Sequence, residues 1–327
     1  MSYSFFGTCC NDHPQLFGCL KTILNQSISP ERIILVDSGD VNIEQEILQI
    51  IKKNKIKLVY IFKKMSRVES LNLALDMSFS KYSFRFDSRS RFAKDYAKNA
   101  LLMLSDENLN IDVVGGVPTV IKSSNKFESK VCAEIMESSY LYFFPKHRNT
   151  KFNGYSSSIY LGCFSTKILK NIRFNEKDAL ISEDSLIIHD FLEKGFKAYI
   201  SSNIKVSYVC RDSFLNILKL FYTYGYCRAN TILVSKKLFI SLRHFFVFFV
   251  LIIVLGNLLY FSYLNLLLIP LIFMIFNLFS ELILYRKRRN LIVPFYGTLC
   301  QFAWISGFLT KLLCIFRVNK SKSNFIS

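Results

Sequence analysis

The chain has 327 residues, 51% of them hydrophobic, and its 42 Lys and Arg against 24 Asp and Glu leave a formal net charge of +18. That length accommodates one large domain plus an appendage, and the charge suits nucleic acid, anionic lipid or a phosphorylated substrate. The basic residues are dispersed, no nucleic-acid motif is visible and the C-terminal region is long and apolar, so nucleic acid is set aside in favour of a membrane surface.

Residues 3–9 read as a short buried strand, and Asn11 to Pro14 as a turn. Leu16, Leu20, Ile23 and Leu24 then recur at helical spacing. A second strand, Arg32 to Asp37, is closed by Ser38-Gly39. A helix over about 43–54, strand 57–62, a helix over 68–79 and strand 82–86 follow, the last delivering Asp87. Apolar strands alternating with amphipathic helices predict a mostly parallel α/β sheet covered on both faces. Ligands of such sheets bind beyond the carboxyl ends of the strands, where Asp37 and Asp87 fall.

Further along, Asp112 to Gly116 reads as a strand ending in a glycine turn, 127–142 as a helix, and 145–158 as a polar, basic loop. His147 in that loop reads as a solvated residue. Residues 160–164 return to strand, a helix starts near Glu183, and 197–201 is the last strand. The nine cysteines show no C-x-x-C pair and no His at zinc-ligand spacing. Their odd number, with no N-terminal signal peptide, predicts a cytosolic main domain without disulfides and a buried, reduced Cys9.

Phe245 to Leu284 carries a single charged residue, Glu281, and is long enough for two spans of ~20 residues. A polar pause near 262–265 marks the turn between them. Arg243 and His244 at one end, and Tyr285 to Arg289 at the other, put both ends of this hairpin on the cytoplasmic side. A third apolar stretch, 291–316, is interrupted by Gln301, Trp304 and Lys311. It is either another span or an interfacial helix, before a basic tail.

The run from Asn11 through Leu16, Cys19-Leu20 and Gln26 to Ile-Leu-Val-Asp37-Ser-Gly39 resembles the opening of family 2 glycosyltransferases of the GT-A fold. Asn72, Arg85-Phe-Asp87, Val114-Gly-Gly116, Gly162, Ser182-Glu-Asp184, Tyr224-Gly225 and Arg228-Ala229 follow in the family's order. The set is most similar to the membrane-anchored succinoglycan biosynthesis glycosyltransferases, and the likeness covers roughly residues 3–290. It implies a GT-A, Rossmann-like nucleotide-diphospho-sugar transferase domain over 1–210 and connecting helices over 211–243. A transmembrane hairpin over 244–284, a transmembrane or interfacial helix over 290–316 and a basic tail at 317–327 complete the expected order.

The resemblance also implies an inverting transfer from a nucleotide-diphosphate sugar, usually a UDP-sugar, to a lipid-linked glycan. The setting would be exopolysaccharide, capsule or O-antigen assembly at the inner membrane, with the catalytic domain facing the cytoplasm and other assembly enzymes as partners. By that analogy Asp184 is the general base and Glu183 its support. Asp37, Asn11, Asn72, Arg85, Asp87 and Arg89 form the donor site, and Asp87 holds Mg²⁺ or Mn²⁺. Many relatives have a second Asp where this chain has Arg89, and a guanidinium has no lone pair for a metal. Either Asp87 ligates the cation alone, or Arg89 pairs with phosphate and lessens the need for metal. Arg228 would meet donor or lipid phosphate, or simply a headgroup. Leu220 and Thr223 stand where relatives carry Gln and Arg, so those roles do not transfer and a processive synthase is disfavoured.

Read as bare sequence, Glu183 and Asp184 are equally first-turn helix residues favoured by the dipole, and Asp37-Ser-Gly is a common turn. Alternative functions are a polyprenyl-phosphate sugar transferase, or a non-catalytic membrane scaffold on a degenerate GT-A domain.

Overall fold

The computed structural model describes residues 1–52, 54–142, 148–176, 183–235, 263–285 and 290–323. The expected first arm of the hairpin (244–262), His147, Ser182 and the basic cluster at 286–289 lie outside them. The chain divides into two units. The first comprises Met1–Ile121, Lys146–Ala179 and Glu183–Val209; the second comprises Lys122–Pro145, Leu180–Ser182 and Cys210–Ser327.

The first unit is built on an eight-stranded sheet. Strands β1 (Tyr3–Cys9), β2 (Arg32–Asp37), β3 (Lys57–Phe62) and β4 (Tyr82–Asp87) run parallel in the order β3-β2-β1-β4. Beyond β4 lie β9 (Cys163–Ser165), β6 (Val113–Gly115), β10 (Ala198–Ile200) and β8 (Gly154–Tyr155). Of these, β9 runs antiparallel to both β4 and β6. Three strands not foreseen, β5 (Ser90–Phe92), β7 (Pro118–Ile121) and β11 (Val206–Val209), form a small second sheet in the order β5-β11-β7.

Side chains alternate across the sheet with a period of two, which divides the core in two. Phe5, Ile33, Leu35, Phe84 and Phe86 pack with Leu16, Leu20 and Ile23 of α1 (His13–Leu24) and with Ala97 and Leu101 of α4 (Tyr96–Leu104). Phe6, Ile34 and Val36 face the other way. They meet Val68, Leu71 and Leu75 of α3 (Arg67–Asp76), Leu169 of α6 (Thr166–Ile172) and Ile187, Ile188 and Phe191 of α7 (Glu183–Glu193). The same alternation turns Arg85, between Phe84 and Phe86, toward the face carrying α3 and α7. The short helix α2 (Glu44–Ile51) closes the β2–β3 connection.

Two differences from the expected elements have local causes. The strand expected at 160–164 starts at Cys163, because Leu161 and Gly162 take φ values of 63° and 89° and turn the chain. The helix expected over 127–142 stops at Glu137 and tightens into a 3₁₀ turn over Ser139–Tyr142. Gly116 has no room for a side chain, since a Cβ there would stand 1.7 Å from the Ile204 carbonyl oxygen.

The second unit is helical: α5 (Phe127–Glu137), the 3₁₀ turn, α8 (Phe214–Ser235) and two further helices, Tyr263–Leu284 and Ile292–Ser323. Two glycines bring α8 against the last helix. A Cβ on Gly225 would lie 1.9 Å from the Trp304 carbonyl oxygen, and one on Gly307 would lie 2.0 Å from that of Tyr222. Glu281, the acidic residue of the apolar run, is fully buried and accepts the Tyr140 hydroxyl at 2.9 Å. Asn277 donates to Thr298 and Gln301, each at 2.9 Å, across the last two helices. Among the described residues one helix segment, Ile292–Cys314, is long and apolar enough to cross a membrane, with a mean hydropathy of 1.3; Pro270–Leu284 is apolar but shorter.

Candidate active site

Parallel strands end on one rim, and the residues just past them converge there. Cys9 closes β1 opposite Asp37 of β2, while Thr8 stands opposite Asp87 of β4. Asp37 and Asp87 are therefore two strands apart, roughly 10 Å at ordinary strand spacing.

Asp37 is fully buried. Its Oδ1 accepts the Gly39 N–H at 2.9 Å, and its Oδ2 accepts the Tyr60 hydroxyl at 3.0 Å and lies 3.3 Å from His13 Nε2. Burial pushes the Tyr60 phenol up to about 12, so it stays a donor. The spacing of the cysteines did not reveal that Cys9, His13 and Asp37 bring ligand atoms within 4.8 Å of one another. Burial pushes the Cys9 thiol up to about 12, and a protonated thiol is a poor ligand. Both Asp37 oxygens already accept hydrogen bonds, one from the Gly39 N–H and the other from the Tyr60 hydroxyl. Asn11, at φ 55°, joins the two flanking turns: its Nδ2 donates to Asp40 Oδ2 at 2.7 Å and its Oδ1 accepts the Asp40 N–H at 2.9 Å.

The other end of the rim is an ionic network joining residues far apart in the chain. Arg67 Nε donates to Glu183 Oε1 at 2.6 Å, and its Nη2 lies 3.0 Å from both oxygens of Asp87. Arg85 Nη2 donates to the same Glu183 oxygen at 2.7 Å and stands 3.5 Å from Asp87 Oδ1. Arg85 is only 2% exposed, Asp87 24% and Arg67 42%. Burial alone would raise the Glu183 carboxyl, but the Arg85 and Arg67 guanidiniums hold it well below the usual carboxylate range. Asp184 is displaced the other way: burial and the neighbouring Glu183 charge raise its carboxyl, despite a hydrogen bond from the Ser185 N–H at 2.8 Å. The two adjacent carboxyls are thus displaced in opposite directions.

Sequence reading missed Arg67. Its signal was the capping box Ser66-x-x-Glu69, formed in both directions here, which starts α3 one residue earlier than the apolar spacing alone indicates. That places Arg67 in the first helical turn after β3, on the rim. Asp12 was also missed. It takes Arg89 in a two-pronged pair, to Nε at 2.8 Å and Nη2 at 3.0 Å, and accepts the Ser88 hydroxyl at 3.0 Å. Arg89 thus ties the turn after β4 to the start of α1. Asn72 is buried, donating to the Phe174 carbonyl at 2.9 Å and to Glu176 at 2.7 Å while accepting the Phe174 N–H at 3.0 Å. It positions the Phe174 ring, whose centroid is 5.7 Å from the Arg85 guanidinium. Arg228 lies on α8, in the second unit.

The chain belongs to glycosyl transferase family 2, whose family profile matches residues 4–172, just over half of it. It is a glycosyltransferase of GT-A fold, with a mostly parallel sheet and an apolar C-terminal helix. It is similar to the dolichyl N-acetyl-α-D-glucosaminyl phosphate 3-β-D-2,3-diacetamido-2,3-dideoxy-β-D-glucuronosyltransferase of Methanococcus voltae, at 24% identity over 277 residues, covering 78% of this chain and 81% of that one. Among solved structures it is similar to the mannosyltransferase PcManGT of Pyrobaculum calidifontis, seen with GDP-Man and Mn²⁺. The TM-score is 0.59 at 14% identity, over 95% of this chain and 86% of that one. The S. aureus TarS structure gives 0.48 at 15% identity over 71% of this chain, which spans 40% of its length.

Proposed function

We propose that the chain is an inverting transferase moving a sugar from a nucleotide-diphosphate sugar, a UDP-sugar in the first instance, to a lipid-linked glycan during surface polysaccharide assembly. The observation that carries this reading is the convergence of Arg67, Arg85, Asp87 and Glu183, from three separate stretches of chain, into one ionic network at the rim, with Asp184 the next residue after Glu183.

In a single displacement the acceptor hydroxyl oxygen bonds to the anomeric carbon as the bond to the diphosphate breaks, and Asp184 takes the hydroxyl proton. Such a base is worth about 10²–10⁴-fold. Asp37, with Tyr60 beside it, would bind the base or ribose of the nucleotide. Glu183 keeps the buried Arg85 in place, and its charge raises its neighbour. Asp87 would hold Mg²⁺ or Mn²⁺. One carboxylate with diphosphate oxygens and water is an ordinary ligand set for these ions, so the residues present fit a cation arriving with the donor. When bound, that ion would offset the charge growing on the leaving diphosphate.

The lipid-linked acceptor is supported by the archaeal relative, whose named substrate is a dolichyl-linked sugar. The apolar segment Ile292–Cys314 and the net charge of +18 suit an anionic bilayer, here the cytoplasmic face of the inner membrane. A donor panel with membrane extract as acceptor tests the reading on wild type, Asp87→Ala and Asp184→Asn. We expect transfer by wild type alone, with donor binding kept in Asp184→Asn. Wild-type-like turnover in Asp184→Asn would overturn its role as base.

A further inference from the structure

We propose that Arg67 is an exchangeable counter-ion: it occupies Asp87 until a nucleotide diphosphate draws it away, so that donor and divalent cation each tighten the binding of the other at this site. This rests on the donor-site reading above and deepens it.

Both Asp87 oxygens are taken by the single Arg67 Nη2. A cation cannot reach that carboxylate without displacing a guanidinium or facing its charge at close range. The two arginines differ in freedom. Arg85 is 2% exposed and keeps its 2.7 Å bond to Glu183, whereas Arg67 is 42% exposed and can swing outward from the first turn of a capped helix. If Arg67 leaves, Glu183 remains paired with Arg85, and only the longer 3.5 Å contact of Arg85 stays on Asp87. The network thus loses one member without collapsing. Arg89, the other guanidinium that the sequence brings to this turn, is clamped by Asp12. A diphosphate offers the Arg67 fork a bidentate anionic partner of its own, in place of carboxylates it shares with Arg85, and its oxygens complete the ligand set that Asp87 alone lacks. Linkage makes the effect reciprocal: a donor that removes Arg67 tightens the cation, and the cation tightens the donor.

The test measures Mn²⁺ binding by electron paramagnetic resonance and UDP binding by calorimetry, with GDP beside UDP, on the full-length protein. Wild type should bind Mn²⁺ weakly alone and about tenfold or more tightly with UDP. In Arg67→Ala the nucleotide-free affinity for Mn²⁺ should rise about tenfold, and metal-free UDP affinity should fall by a similar factor. The UDP-induced gain for Mn²⁺ should shrink accordingly. Arg67→Lys keeps the charge but cannot reach Glu183 and Asp87 with a fork, so it should fall between the two; it also decides the matter if the alanine variant does not fold. Unchanged Mn²⁺ affinity in folded variants that still bind UDP would overturn the counter-ion role and leave the proposed function standing. Failure of wild type to bind either nucleotide, with or without Mn²⁺, would instead remove the donor-site reading beneath it.

Discussion

Glu183 and Asp184 are neighbours in sequence, yet their surroundings displace their carboxyls in opposite directions. As the proposed base, with its carboxyl raised by burial and by the Glu183 charge, Asp184 would accept a proton only above that raised value. The acid limb of kcat should therefore lie above the ordinary aspartate range. Glu183→Gln removes the like charge, so that limb should move to lower pH, as a pH–rate profile of the two proteins will show. Stability responds with opposite signs. The depressed Glu183 carboxyl contributes stability above its unfolded value, and this is lost as pH falls through its folded value. The raised Asp184 carboxyl contributes below its unfolded value, and that contribution is lost as pH rises through its folded one. At neutral pH the Asp184 charge thus weighs against the fold, so Asp184→Asn should raise the unfolding temperature while stopping turnover. Glu183→Ala leaves the buried Arg85 with only its longer 3.5 Å contact to Asp87 and should cost up to about 3–5 kcal/mol, read as a lowered denaturation midpoint.

Elements locate these residues, and their legibility in the sequence varied for physical reasons. Strands β1, β2 and β4 were readable because they are near-continuous apolar runs, buried on both faces, and the half-buried edge strand β3 because its apolar run lies between clear turns. Asp37 and Asp87 follow directly from such strands, as the last residues of β2 and β4. The inward turn of Arg85 was implicit in the two-residue alternation around Phe84 and Phe86. The three strands of the small sheet were hidden because they are only three or four residues long and pair with segments far along the chain. Arg67 and Asp12 were hidden for another reason: their partners come from distant segments, and no local pattern announces an ion pair across 116 or 77 residues. In the second unit Gly225 and Gly307 mark the close approach of two helices. Gly225→Ala should separate them at a cost of about 1–3 kcal/mol. Gly307→Ala should act alike, with the double variant less than additive, as thermal unfolding in detergent will measure.

At the scale of the whole molecule, the first unit is a sheet with helices on both faces, and its carboxyl-end rim carries the candidate site. The second unit supplies the apolar helices, and Glu281 on one of them is buried and accepts a hydrogen bond from the Tyr140 hydroxyl. Central to the proposed activity is the rim from Asp37 to Asp87 as the seat of the nucleotide. An experimental structure with UDP and Mn²⁺ bound tests it most directly. The nucleoside should lie against Asp37 and Tyr60, with the diphosphate beside Asp87 and Arg67 turned away from that carboxylate. A nucleotide seated elsewhere, with the rim empty, would contradict it.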